Sequence, residues 1–185
     1  SGTSTHSDLL GGPTRAADDM TFDITQTGDS ISISAQIQGS NDTGTWSFTG
    51  DSNTVALMCD SAAAGNCETV TLNITGTGDS QQYTINIGES ADADSATVNF
   101  TVDDDSTVTT LDIDGTSAAV TVNVDKNNSL ATGANTIDID IAGDGDVAGH
   151  TVTLDVKGKG NNVKIDQSGI YAVSYTHLRA HETAT

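Results

Sequence analysis

A chain of 185 residues is long enough to bury its own core, and by length it is one domain. Its 26 Asp and Glu against 6 Lys and Arg give a formal net charge of −20. Such a surface repels nucleic acid and anionic membranes, so neither is expected as a partner. No stretch stays apolar long enough to cross a bilayer as a helix, so membrane insertion is not expected either. The charge suits a secreted protein, a saline habitat or a divalent-cation binder, and does not choose among them. Acidic, aromatic-poor composition is also typical of disorder, but the ordered alternation of Val, Ile and Thr described below points to folded β-structure.

Residues 1–19 lack periodicity and carry Gly11-Gly12-Pro13, the lone proline. They read as a flexible leader, or as an extension that docks on a neighbouring subunit. The chain starts at Ser1 with neither an initiator Met nor a signal peptide, which reads as a processed form or a fragment. From Met20 a β-pattern begins, with Phe22, Ile24, Ile31, Ile33 and Ile37 separated by turns at Gln26-Thr-Gly28 and Gln38-Gly39. Trp46-Ser-Phe48 and Val55-Ala-Leu57 follow. Cys59 and Cys67 then bracket a small flexible loop suited to closing a disulfide, which points to export; the alternatives are two buried thiols or half of a metal site.

The central array opens at Thr69-Val-Thr-Leu-Asn-Ile74 and repeats one pattern along the chain. Its echoes are Tyr83–Ile87, Thr97–Val102, Thr110–Ile113, Thr121–Val124, Thr136–Ile141, Thr151–Val156 and Val163–Ile165. Apolar residues fall on every second position, so each run is a strand with one buried face and an outward face of Thr, Asn or Asp. The strand starts are separated by 14, 14, 13, 11, 15, 15 and 12 residues, with Gly-, Asp-, Ser- and Asn-rich connections. Recurrence of this kind is a repeat architecture first.

Two all-β architectures fit. In a β-solenoid, successive strands lie on opposite sides of a flattened coil and strands two apart stack in parallel. The coil is then two steps long: 28 residues from 69 to 97, 27 from 83 to 110, and 26 from 110 to 136. In an antiparallel β-sandwich the same strands pair through hairpins and Greek-key links. A sandwich calls for aromatic anchors between its sheets, yet only Tyr83 and Phe100 lie in the array, whereas recurring Thr and Asn suit stacked ladders. The solenoid is the favoured reading, as a single domain over 20–171 with a disulfide loop at 59–67. Thr69, Thr71, Asn73, Thr97, Asn99, Thr121, Asn123, Thr151 and Thr153 are then its ladder face.

Residues 172–185 depart from this pattern. Val173-Ser-Tyr-Thr-His-Leu-Arg-Ala-His-Glu-Thr183 has no Gly or Asp turn, and it resembles the translation of a transposase adapter used in short-read library preparation. The resemblance implies a gene assembled from environmental reads, a non-native tail, and a native sequence interrupted near Tyr171. His177 and His181, at helical i, i+4 spacing, are for that reason not read as metal ligands.

Candidate chemistry is sparse. Outside the tail only His6 and His150 are available as a base, so a Ser or Cys triad is not expected. Carboxylates at nearly every turn make an isolated pair uninformative about glycoside cleavage, and aromatic residues for sugar platforms make up only 4%. No catalytic residue and no resident cofactor is assigned, and the chain reads as a non-enzyme. Calcium is the one metal the turns would suit, through Asp103, Asp104 and Asp105 or through Asp144 and Asp146, set against ordinary solvated turn acids. Stacked acids such as Asp112 and Asp138 would repel one another, which also favours cations or salt. The Thr-x-Thr faces raise ice binding. The Asp at position 112 or 138 and the uneven steps argue against a flat, uncharged lattice.

Ile24-Thr-Gln26-Thr-Gly28, Gln38-Gly39-Ser-Asn41 and Asn162–Gly169, with its Gln167-Ser-Gly169, resemble the curlin family of bacterial amyloid-like fibre subunits. The likeness covers the two ends of the array, and the middle replaces Gln with Asp and Thr. It implies a secreted β-solenoid that polymerises end to end into matrix fibres and has no catalytic residues. Together these readings give an extracellular or cell-surface structural subunit whose main partner is itself. The alternative is an adhesin or a cation- or glycan-binding repeat module.

Overall fold

The computed structural model describes residues 19–37, 39–59, 67–88, 94–103, 105–124, 135–143, 149–157, 160–168 and 173–179, with only the backbone described at Phe22 and across 173–179. They form thirteen strands and no helix. In chain order these are β1 (Thr21–Thr27), β2 (Ser32–Ile37), β3 (Thr43–Thr49), β4 (Thr54–Cys59), β5 (Thr71–Thr77), β6 (Gln82–Ile87) and β7 (Thr97–Asp103). There follow β8 (Val108–Asp114), β9 (Ala119–Val124), β10 (Thr136–Ala142), β11 (Thr151–Lys157), β12 (Asn162–Gln167) and β13 (Val173–Arg179).

Odd-numbered strands make a seven-stranded sheet in the order β1-β3-β5-β7-β9-β11-β13, and even-numbered strands a six-stranded sheet in the order β2-β4-β6-β8-β10-β12. Every pairing is parallel. The chain therefore winds as a β-solenoid, crossing from one sheet to the other after each strand, and the sandwich alternative does not apply. Parallel sheets are usually covered by helices on both faces and read as continuous apolar runs. Here each sheet covers only the inner side of the other, so buried and outward positions alternate along the strands.

Coil length varies while register does not. Thr21 aligns with Thr43, 22 residues on; Thr43 with Thr71, 28 on; and Thr71 with Thr97, 26 on. The differences fall in the connections, and the strands stay in step. Thr71, not Thr69, is the partner of Thr97, and Tyr83 aligns with Thr109 rather than Thr110. The first shift arises because Thr69 is a corner residue with φ 56°, outside β5. The second shows how firmly register is held. In β8, Leu111 and Ile113 face inward and are fully buried, which forces Thr109 into the core and leaves Val108 43% exposed. A one-residue slip would correct this pair at the cost of turning Leu111 and Ile113 to solvent.

The core is a continuous apolar slab. Over β3–β7 it holds an aromatic run: Trp46 lies 6.2 Å from Phe48, Phe48 6.1 Å from Tyr83, and Tyr83 4.9 Å from Phe100, centroid to centroid. Gly76 makes room for it, since a Cβ there would overlap the Tyr83 hydroxyl, which in turn is hydrogen-bonded to Gln81 Oε1. From β8 onward the slab is aliphatic, with Leu111, Ile113, Val120, Val122, Ile137, Ile139 and Leu154 all buried.

Val173–Arg179, part of the Val173–Thr183 stretch read as adapter-derived, is placed as β13 beside β11. Its Val-, Tyr- and Thr-containing composition has β-propensity, and parallel pairing needs only backbone groups. The leader, residues 1–18, lies outside the described residues. Asp19 and Met20 already belong to the stack, through Asp19 N–H to the Ser40 carbonyl at 3.0 Å and Met20 N–H to Asp42 Oδ1 at 2.9 Å.

Candidate functional site

Four surfaces carry polar groups in order: the outward face of each sheet and the two rims between them. On the seven-stranded sheet, Thr71 and Asn73 (β5), Thr97 and Asn99 (β7), Thr121 and Asn123 (β9), and Thr151 and Thr153 (β11) alternate with buried neighbours and point outward. They fall into columns. Thr21, Thr43, Thr71 and Thr97 align, and the column continues through Ala119 to Thr151. Asn73 and Asn99 stack, with Asn99 Nδ2 donating to Asn73 Oδ1 at 2.9 Å, and Thr121 and Thr153 continue that column. Asn123 belongs to the next column, beneath Thr101 and above Asp155. Thr69 does not join the face.

The six-stranded sheet differs. Its first three strands present Ser32, Ser34, Gln36, Thr54, Ala56, Met58, Gln82, Thr84 and Asn86 outward, a neutral but mixed set. Its last three present acids. Asp112 aligns with Asp140 and Asp140 with Asp166, while Asp138 sits in the neighbouring column between Thr110 and Lys164. So Asp112 and Asp138 share a face but are not stacked on each other. Lys164 Nζ donates to Asp138 Oδ1 at 3.2 Å. That hydrogen bond, then the charges of Asp138, Asp140 and Asp166, hold the Lys164 ammonium above the ordinary lysine pKa.

The rims explain why the coil can turn so sharply. The first rim repeats Gly-Asp-Ser: Gly28-Asp29-Ser30, Gly50-Asp51-Ser52 and Gly78-Asp79-Ser80. Ser30, Ser52, Ser80 and Ser106 all take left-handed conformations, with φ of 59°, 59°, 59° and 61°. Each such residue costs about 1–2 kcal/mol in an isolated chain, and here the next coil holds it. Ser30 N–H donates to the Asp51 carbonyl, Ser52 N–H to that of Asp79 and Ser80 N–H to that of Asp105, each at 2.8 Å. The Asp side chains join in: Asp29 Oδ1 accepts from Asp51 N–H, Asp51 Oδ1 from Asp79 N–H, and Asp79 Oδ1 from Asp105 N–H. These acids are structural rungs, held by neutral backbone donors.

Just inside this rim runs a buried polar column that the sequence reading did not anticipate. Asn53 Oδ1 accepts from Ile31 N–H and its Nδ2 donates to the Gly50 carbonyl, both at 2.9 Å. Asn135 Oδ1 accepts from Thr107 N–H, and Asn161 Oδ1 from Asn135 N–H. The signal was positional, since each of these residues immediately precedes an even-numbered strand. The opposite rim has its own column. It contains Asp42 and His150, both fully buried, and His150 Nδ1 accepts the Ala118 N–H at 3.3 Å. One ring nitrogen of the sole described histidine with an assigned side chain is thus committed to the backbone.

Asp103 closes β7 and Asp105 lies in the rim after it. Asp104, Asp144 and Asp146 lie outside the described residues. Among the described residues no group of three or more His, Cys, Asp or Glu is placed to hold a metal ion. Cys59 and Cys67 form the disulfide, with Cα atoms 5.9 Å apart, and residues 60–66 between them lie outside the described residues. The bridge joins the end of β4 to the segment leading into β5, and so ties the two sheets across a rim. Disulfides form and persist in oxidising, non-cytoplasmic compartments. No helix among the described residues is long and apolar enough to cross a membrane. No known protein family matches the chain, and neither does any curated protein or solved structure.

Proposed function

We propose that the chain is a structural subunit of a secreted extracellular filament or matrix fibre, assembled by end-to-end β-pairing of one stack on the next. The observation that carries this reading is the shared register. Each strand pairs in parallel with the strand two along, and Val163 and Ile165 of β12 continue the inward columns of Ile137 and Ile139, so every rung offers the next the same backbone ladder. Among the described residues β1, β2, β12 and β13 each pair on one side only. On their other edge no described residue pairs with the backbone, whose N–H and C=O groups keep the register of a parallel ladder, a template for a further strand. A β2 from a second copy would lay Ile33 and Ala35 beside Val163 and Ile165, and neutral Ser34 and Gln36 beside Lys164 and Asp166, with no like charges opposed. In this reading the chain has no catalytic task and needs no cofactor, and calcium at the acidic turns would bridge neighbouring fibres.

The alternative, an adhesin or a cation- or glycan-binding module, draws on the outward acids Asp112, Asp140 and Asp166. Electron microscopy of the purified chain and of Ile165→Lys separates the two. The filament reading expects fibres from the wild type and short or no fibres from the variant, because an inward-pointing charge blocks an edge. Persistent wild-type monomers at high concentration would sink it.

A further inference from the structure

The outward side of the seven-stranded sheet is uniform in a way the sequence conceals. Across β3, β5, β7 and β9 its first three columns read Thr43, Thr45, Ser47; Thr71, Asn73, Thr75; Thr97, Asn99, Thr101; and Ala119, Thr121, Asn123, without one charge. Of the acids, Asp112 and Asp138 lie on the other sheet, while Asp23 on β1 and Asp155 on β11 bound the neutral field at its two ends. The uneven steps that argue against a regular lattice are absorbed by the connections, so the columns run in register from β1 to β11. On a chain of net charge −20, a neutral field of this extent is a segregated surface.

Its geometry follows from the sheet. Rungs repeat at about 4.8 Å, and successive outward residues along a strand at about 6.7 Å. Thr is stiff at χ1, so each hydroxyl and methyl is held at a fixed place in that grid. We propose that this face binds ice. The two repeats are close to those of oxygen atoms on exposed planes of hexagonal ice. Hydroxyls at those intervals would order water into a matching layer, with the methyl groups seated between its molecules. Absence of charge is part of the fit, because a carboxylate would hold its own hydration shell and ice does not incorporate ions. The face lies along the side of the stack, so the proposal does not depend on end-to-end assembly.

The test is incorporation of the full chain into a slowly growing ice front, with Thr75→Tyr and Thr45→Tyr on the proposed face and Thr84→Tyr on the six-stranded sheet as control. Tyr is compatible with an outward strand position, and circular dichroism checks that each variant keeps the wild-type spectrum. The wild type and Thr84→Tyr should enter the ice, and the two face variants should be rejected. Rejection of the wild type would overturn the proposal, as would equal loss in Thr84→Tyr. Retention on microcrystalline cellulose combined with rejection by ice would also overturn it, in favour of a polysaccharide surface.

Discussion

The two sheets share one core and differ on the outside. Inward, both supply the same kind of residue, Leu72, Val98 and Val120 from one and Leu57, Ile85 and Leu111 from the other, all buried. Outward, the seven-stranded sheet repeats Thr and Asn, whereas the six-stranded sheet becomes acidic over β8, β10 and β12. The difference shows which constraint acts where. Burial dictates the inner face of every strand. On the outer face no burial constraint acts, and cross-strand pairs such as Asn73 with Asn99 shape the pattern instead.

The largest effects should ignore the comparison. Leu72→Ala and Leu111→Ala each empty a fully buried site in opposite sheets and should each cost about 2–5 kcal/mol in chemical denaturation. Two separate unfolding transitions in either variant would mean that the sheets do not share one cooperative core. Next comes the bridge between the sheets. Cys59→Ser combined with Cys67→Ser should cost about 2–3 kcal/mol, from loop-closure entropy regained by the unfolded chain. Melting with and without reductant should show the same loss in the wild type and none in the double variant.

Smaller effects should sharpen the contrast. Asp140→Asn relieves like charges above and below it in the Asp112–Asp140–Asp166 column, and should stabilise by about 0.2–1 kcal/mol at low salt. The gain should fade as salt screens the acids. Asn99→Asp on the other sheet should destabilise instead, since it removes the donor to Asn73. The smallest effect is at Lys164. Its folded pKa is raised by Asp138, so its contribution is complete below about pH 10 and is lost as pH climbs through the folded value. Lys164→Met should lower stability slightly across the neutral region, and the deficit should vanish as pH climbs through the folded pKa of Lys164, which flattens the alkaline limb of the profile.

Much of the fold was legible because burial writes a period of two into the strands. Val70, Leu72 and Ile74 were read as inward and are buried. The Cys59–Cys67 bridge was legible from spacing and composition. What could not be read was how corners count residues. Thr69 looks like a strand residue, because a β-branched side chain at φ 56° is locally unfavourable and only the stacked coil holds it there. Corner geometry also sets register and which strands share a sheet, and therefore puts Asp112 and Asp138 away from the Thr columns. Val108 and Thr109 look inverted until the burial of Leu111 and Ile113 is considered. The polar column of Asn53, Asn135 and Asn161 was hidden because Asn beside turns reads as solvent-facing.

The central claim is that the stack continues from one chain to the next, and fibre diffraction from oriented material tests it most directly. A continuing parallel stack predicts a reflection at about 4.8 Å along the long axis, because the strands lie across it. Ordered fibres with that spacing perpendicular to the axis, or concentrated protein that yields no fibres, would contradict it.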